Sequence, residues 1–252
     1  MKYLFVFSLI LSVAASAQAQ RFREHFQEPE RNKGKAFLNH FGFGLGLPGG
    51  DLAKRFGFAG NAGLGVDFIT ANNWIVGGET FFLFGSSLKE DPLAIIRLPD
   101  GSIIGKNMLL ADVALRERGL YVGGRIGRLF ATEKRRSGLR LTVGAGMLRH
   151  RIRIQDNSQT VAQLTGDYTK GYDRLTGGLA LNQFIGWQHL GKNRRNNWLI
   201  GFEFNQGFTN TLRDWDYSEI RKLDDPRTDL QFGIRVAWTL PLYLTKAEEI
   251  FY

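Results

Sequence analysis

The chain has 252 residues, a formal net charge of +9, 31 glycines and no cysteine. The lack of cysteine excludes disulfides, thiolate metal sites, a cysteine nucleophile and a lipid anchor on cysteine. No run of about 18 apolar residues follows the N-terminal segment, so the sequence does not predict a helical membrane protein.

The N-terminal segment, residues 1–19, has the features of a secretory signal peptide. Lys2 precedes an apolar stretch from Leu4 to Val13, and small residues end the segment at Ala19. An exported chain does not ordinarily meet cytoplasmic DNA, so its positive charge favours anionic lipid or an acidic protein surface over nucleic acid. Residues 20–35 are charged and aperiodic, and we expect them to form a mobile periplasmic tail.

Eight segments then alternate between apolar and small or polar residues, the period of a strand whose faces meet different solvents. The last is the clearest, because every even residue from Leu230 to Leu242 is apolar whereas the odd positions include Gln231 and Arg235. In chain order, the predicted strands are residues 36–47, 60–70, 74–85, 120–129, 139–154, 175–190, 198–208 and 228–243.

The connections between these segments are alternately long and short, as in outer-membrane barrels with brief periplasmic turns and larger extracellular loops. We therefore predict an all-β fold, an eight-stranded antiparallel transmembrane β-barrel in residues 36–243. An even strand number places both termini in the periplasm, with residues 244–252 as a C-terminal tail. The connection at 86–119 carries an Asp100-Gly101 hairpin signal, so ten strands is the alternative.

The second face of the strands is rich in glycine, for example at Gly42, Gly44 and Gly65, and it carries charges of both signs. Glycine weakens strands and brings no benefit at an aqueous surface, whereas the interior of an eight-stranded barrel has little room. We predict that this face lines the lumen and that the apolar face meets lipid. Tryptophans near strand ends fit interfacial girdles, namely Trp74, Trp187, Trp198 and Trp238.

Charged residues in the lumen require partners, because an isolated buried charge is costly. We predict an ion-pair plug in which Arg235 meets Glu203 or another carboxylate and His40 takes part through hydrogen bonds. A proton or ion path through the same groups is the alternative. The predicted plug consists of Asp67, Glu79, Arg125, Arg140, Glu203 and Arg235.

Two further basic sets lie near the predicted membrane surfaces. Arg149, Arg151 and Arg153 extend the outer face of the fifth strand, where guanidinium groups would contact lipopolysaccharide phosphates. A solvated strand extension is the alternative. Basic turns at the opposite end would dock an acidic periplasmic protein, with ordinary solvated turns as the alternative. The predicted docking residues are Arg135, Arg136, Arg194 and Arg195.

The sequence carries no HExxH, paired metal-ligand spacing, P-loop or nucleophile elbow. The best combination for acyl transfer is His150 with Asp156 and Ser158, which would suit a lipid-modifying enzyme at the membrane surface. We predict a non-enzymatic chain without catalytic residues, metal or cofactor.

Residues 37–243 resemble the small outer-membrane barrels typified by OmpX and the OmpA transmembrane domain in strand number, alternation and loop asymmetry. The segments PGGDLAKRFG, TANNWIVGGETFFLFG and KGYDRLTGG are similar to uncharacterised barrels of Bacteroidota envelopes. Some small barrels of that group accompany the type IX secretion and gliding machinery. The resemblance implies an outer-membrane location. We predict a structural or interaction role in the envelope, and the alternatives are a lipid-modifying enzyme of the outer leaflet and a narrow channel.

Overall fold

The computed structural model describes residues 34–132, 135–157, 159–191 and 196–244. The predicted signal peptide, nearly all of the predicted N-terminal tail and residues 245–252 lie outside the described residues. Eight antiparallel strands form a closed barrel in which neighbours in sequence pair and the first strand pairs with the last. They are β1 (Ala36–Gly50), β2 (Ala59–Ile69), β3 (Trp74–Gly85), β4 (Val113–Thr132), β5 (Arg135–Asp156), β6 (Thr176–Leu190), β7 (Asn197–Thr211) and β8 (Arg227–Tyr243).

The two ends of the barrel differ. At the turn end, short connections join β2 to β3, β4 to β5 and β6 to β7, and Ala36 pairs with Tyr243. At the loop end, residues 51–58, 86–112, 157–175 and 212–226 connect the strands and form what we call the cap. Because residues 86–112 add no strand to the barrel, the ten-stranded alternative is wrong.

Helical structure in the described residues is confined to the cap. It comprises α1 (Leu52–Arg55) and the short 3-10 segments Ala94–Ile96, Ala162–Leu164 and Gly166–Gly171. No helix among the described residues is long and apolar enough to cross a membrane.

Apolar side chains at alternate strand positions point outward and form a continuous belt. On β8, Phe232, Val236 and Trp238 are each about half exposed. On β4 the belt runs from Leu120 to Phe130, which at about 3.3 Å per residue and a tilt of about 40° spans about 25 Å in height. An apolar belt of this height matches the hydrocarbon core of an outer membrane, so the chain is a transmembrane β-barrel.

The predicted tryptophan girdle is visible at one end of the belt. The four side chains are exposed to between 36% and 51%, and Trp198 pairs directly with Trp238 across β7 and β8. Trp74, Trp187 and Trp198 all lie within four residues of the turn end of their strands. An indole at this level can keep its ring in lipid and its N–H near water.

The hairpin of β4 and β5 is longer than the sequence analysis predicts. β4 begins at Val113 rather than at residue 120, and β5 begins at Arg135 rather than at residue 139. The pairing of β3 with β4 ends at Glu117, and that of β5 with β6 ends at His150. The hairpin therefore projects beyond its neighbours at the loop end, where its outer face is polar and gives no apolar alternation.

The lumen is filled in layers. An apolar layer closes the turn end, and a polar layer follows. A second apolar layer lies on β3 to β6 and contains Tyr121 stacked on Phe81 with ring centroids 4.6 Å apart, whereas the buried Asn61 lies beside it on β2. Glycine is required where these side chains lie against the backbone of a strand, because a Cβ at Gly123 would lie 2.3 Å from the Tyr121 hydroxyl. The layer at the turn end consists of Ala36, Leu38, Ile69, Ile75, Leu129 and Leu190.

Candidate functional site

Asp67 on β2 is the centre of a charge network in the polar layer. Arg125 on β4 donates to both carboxylate oxygens, from Nε at 2.7 Å and from Nη2 at 3.0 Å. Arg140 on β5 donates to Oδ2 as well. His40 on β1 places Nε2 2.9 Å from Oδ2, and its Nδ1 lies 2.9 Å from the Thr239 hydroxyl on β8. Four strands besides β2 thus contribute to this part of the network.

Glu79 on β3 extends the charge network across the lumen. It accepts from Arg125 and, at 2.7 Å, from Nη1 of Arg235 on β8. The Nη2 of Arg235 lies 2.5 Å from Glu203 on β7, whose other carboxylate oxygen accepts from Asn61 at 2.7 Å. Arg235 therefore meets Glu203, as the sequence analysis expects.

The six residues assigned to the plug from sequence all lie in this one network. Three guanidinium groups face three carboxylates, so the formal charges cancel. All six side chains are at least nine-tenths buried. The space left beside Arg125 and Arg235 is about 20 Å³, which is room for about one water molecule. The geometry can hold a closed, charge-balanced barrier between two apolar layers.

A second polar cluster lies inside the barrel at the loop end, above the apolar belt. His150 Nε2 is 2.8 Å from Asp229 Oδ2, which also accepts from the Thr209 hydroxyl at 2.5 Å. Glu117 is 1% exposed, and neither of its carboxylate oxygens has a hydrogen-bond partner among the described residues. Burial raises the pKa of Glu117 to about 7, although the positive charge of Arg118 opposes the shift. This carboxyl group is therefore the least compensated acid in the described lumen.

The cap closes the loop end through one ion-paired hub. The Glu90 carboxylate forms ion pairs with Arg55 Nε at 3.0 Å and with Arg174 Nη1 at 2.5 Å. Arg174 Nη2 donates a hydrogen bond to the Ser218 hydroxyl at 2.8 Å. These four residues come from the four different cap loops. Below the hub, the Phe56 ring packs edge-on against His150 with centroids 5.7 Å apart. The cap is thus a folded lid rather than a set of independent loops.

The catalytic set considered from sequence is not formed. His150 faces the lumen and is bonded to Asp229, whereas Asp156 accepts from the backbone of Val161 near the far end of β5. Ser158 lies outside the described residues. The alternation that puts Arg149 and Arg151 outside the barrel places His150 inside it, away from the membrane surface. Within the described parts of the chain, no group of three His, Asp or Glu side chains is arranged to hold a metal ion.

One of the four docking residues predicted at the turn end, Arg136, does not face the surface. Arg136 is buried, and its guanidinium donates to the Asn73 side chain at 2.9 Å and to the carbonyls of Gly34, at 2.6 Å, and Thr70. It joins the turn before β3 to the start of β1 instead of facing a partner. Arg194 and Arg195 lie outside the described residues, as does the side chain of Arg135.

The outer arginines of β5 lie where the alternation predicts. Arg149, Arg151 and Arg153 are exposed on the outer face, beyond the belt. Arg116 and Arg118 also lie on the outer face of β4, outside the strand predicted from sequence, which begins at residue 120. Both have the even numbering of the lipid-facing positions of β4, and continuing that parity backwards would have found them.

Solved structures similar to this chain include small outer-membrane proteins. Ail, the attachment invasion locus protein of Yersinia pestis, is 11% identical with a TM-score of 0.40, over 82% of this chain and 99% of Ail. Neisserial surface protein A (NspA) is 10% identical with a TM-score of 0.41, over 80% and 97% of the two chains. OprG from Pseudomonas aeruginosa is 10% identical with a TM-score of 0.39, over 86% and 100%.

No protein-family model matches the chain, and no curated protein matches it. At the identities and TM-scores of the three solved structures, the similarity says nothing about what this chain binds. The closed ring of strands, the outward apolar belt and the polar lumen of the chain itself make it an eight-stranded transmembrane β-barrel.

Proposed function

We propose that this chain is a sealed outer-membrane β-barrel that serves as a non-catalytic structural or interaction component of the cell envelope. The observation that carries the proposal is the lumen, in which a charge-balanced network lies between apolar layers. An ion entering from the turn end would have to leave water for an apolar layer, and from either end it would have to pass a buried network whose charges are already paired, which is costly. The narrow channel is for this reason the weaker candidate.

The architecture supports the location and orientation that we propose. Closed barrels with a belt of about 25 Å, short turns and long loops are typical of bacterial outer membranes. The signal peptide predicted from residues 1–19 supports export. We therefore place the turn end and both termini in the periplasm and the cap outside the cell.

The cap is the surface that we assign to an interaction. Leu52 and Phe56 are buried over the lumen, whereas the tip of a hairpin in the second loop exposes apolar side chains. Met108 is 90% exposed and Leu110 72% exposed. Exposed apolar groups that contribute nothing to sealing the barrel are typical of protein contact surfaces.

The turn end is the second candidate surface for an interaction, there with a periplasmic partner. The resemblance of three sequence segments to Bacteroidota barrels supports a secretion or motility complex as that partner. The burial of Arg136 reduces the basic surface offered there. A lipid-modifying enzyme is disfavoured because His150, Asp156 and the membrane surface do not come together.

Site-specific photo-crosslinking in intact cells tests the interaction and its side. A crosslinking residue at Leu109 reports on the cap, one at Asn72 reports on an exposed turn at the other end, and one at Val236 is the lipid-facing control. A single protein captured in near-stoichiometric amount from Leu109, and absent from Val236, is the expected result. Capture from Asn72 would move the interaction to the periplasmic side. Capture from neither end would contradict an interaction role.

A further inference from the structure

Five arginines form a ladder on the outer face of the projecting β4–β5 hairpin. Arg116 pairs directly with Arg153, Arg118 pairs with Arg151, and Arg149 lies in the next row opposite an apolar residue. We call this set the arginine ladder. Its two upper rows each place two positive side chains opposite one another, which in an antiparallel sheet is destabilising unless the charge is compensated.

The described residues provide little compensation. No carboxylate among them pairs with Arg116, Arg149 or Arg153. Arg151 lies 3.7 Å from Asp173, but that carboxylate is held more closely by Arg213 at 2.5 Å.

Arg118 also lacks an acidic partner on the outer face. It donates to the carbonyl of Glu117 at 2.6 Å, and its guanidinium lies 5.9 Å from the centre of the Phe82 ring, which belongs to the lipid-facing belt. This contact places Arg118 at the border of the apolar belt. The neighbouring side chain of Glu117 points into the lumen and is not available to the outer face.

The height of the ladder corresponds to the head-group region. Arg149 follows the lipid-facing Met147 by two positions, and each residue adds about 2.5 Å of height in a strand tilted by about 40°. Arg149 and Arg151 then lie about 5 and 10 Å above Met147. The apolar belt ends level with Arg149, because Arg149 pairs with Leu120, the last lipid-facing residue of β4. The polar region of each leaflet is about 5–8 Å thick. The row of Arg118 and Arg151, about 5 Å above the end of the belt, therefore lies within this region, and the row of Arg116 and Arg153, about 10 Å above it, lies just beyond.

We propose that the arginine ladder binds phosphate head groups of lipids in the leaflet at the loop end, with one phosphate between the two guanidinium groups of each cross-strand pair. Guanidinium forks form bidentate, charge-assisted hydrogen bonds with phosphate. An anion in this position would also remove the repulsion within the pair.

The inner face of the same strands supports the ladder. Leu115, Ile152 and Ile154 pack there against the cap, so the projecting hairpin is held in one position. The inference goes beyond the sealed-barrel proposal and does not depend on it, because the ladder lies outside the lumen.

The proposal is tested with the purified full chain in a non-ionic detergent, using diphosphorylated lipid A as the probe and native mass spectrometry to measure binding. The test variant is Arg118→Gln/Arg151→Gln. The matched control is Arg221→Gln/Lys222→Gln, which removes two exposed positive charges from the fourth cap loop. We expect the test variant to lose at least about tenfold in affinity, as charge-assisted hydrogen bonds warrant, and the control to retain it.

A stability measurement separates ligand binding from a structural role. Without lipid A, the test variant should melt at the same temperature as the unmodified chain or higher, because one repelling pair is removed. Lower stability in the absence of lipid would make these arginines structural and overturn the proposal. Unchanged affinity for lipid A, or an equal loss in the control, would overturn it as well. Equal binding of soluble pyrophosphate would refute the assignment to membrane lipid.

Discussion

Replacing Asp67 with asparagine should destabilise the barrel strongly while leaving its shape unchanged. The Asp67 carboxylate is fully buried and accepts from both Arg125 and Arg140. With the charge removed, three lumenal guanidinium groups face two carboxylates. Removing one partner of a buried ion pair leaves an uncompensated charge, which costs about 3–5 kcal/mol. We expect the free energy of unfolding to fall by about this amount.

The assay is equilibrium urea unfolding from phospholipid vesicles, followed by tryptophan fluorescence. Asp91→Asn is the matched control, because Asp91 pairs with Arg97 at the exposed surface of the cap, where an ion pair contributes about 0–1 kcal/mol. The double variant Asp67→Asn/Arg140→Gln restores the charge balance and should recover part of the loss. The reasoning is refuted if Asp67→Asn costs no more than the control, or if the double variant loses the sum of both single effects.

Three further outcomes follow from the same structure. Glu117→Gln should stabilise the barrel above pH 7 and have little effect below about pH 4.5, because a pKa near 7 in the folded chain means that stability is lost as pH rises between these values. The gain in the free energy of unfolding is of the order of 3 kcal/mol and is measured by urea unfolding at pH 4 and pH 8.5. Phe56→Ala should cost about 3 kcal/mol of cap stability and accelerate amide hydrogen exchange in residues 51–58, since the ring loses its packing on His150. Arg136→Gln should lower the free energy of unfolding in urea by about 1–3 kcal/mol, because the carbonyls of Gly34 and Thr70 lose a donor; an unchanged free energy of unfolding would restore Arg136 as a docking residue.

The strand pattern was predictable because the two faces of each strand meet different surroundings. Lipid selects apolar residues such as Phe232 and Val236, whereas the crowded lumen selects glycine and paired charges. Since side chains alternate with period two, Arg235 and Glu203 could both be placed on the inner face, which was sufficient to predict that Arg235 meets Glu203 or another lumenal carboxylate.

The parts that the sequence analysis missed lack such a contrast. Beyond Leu120, the outer face of β4 meets head groups and water, so Arg118 and Arg116 interrupt the apolar pattern although the strand continues. The pairing of Arg55 with Glu90 joins two aperiodic loops, and their contact depends on how the cap folds. Arg136 is buried by backbone carbonyls of a neighbouring turn, and side-chain types in the sequence carry no information about such acceptors.

The central claim is that the barrel is sealed, and its most direct test is electrical. The purified full chain is inserted into planar lipid bilayers in 1 M potassium chloride, with insertion verified by protease protection of the same preparation in vesicles. The charge network and its apolar layers predict no steady conductance above that of the bare bilayer. Stable single-channel steps that scale with salt concentration would contradict the claim and make the lumenal charges an ion path.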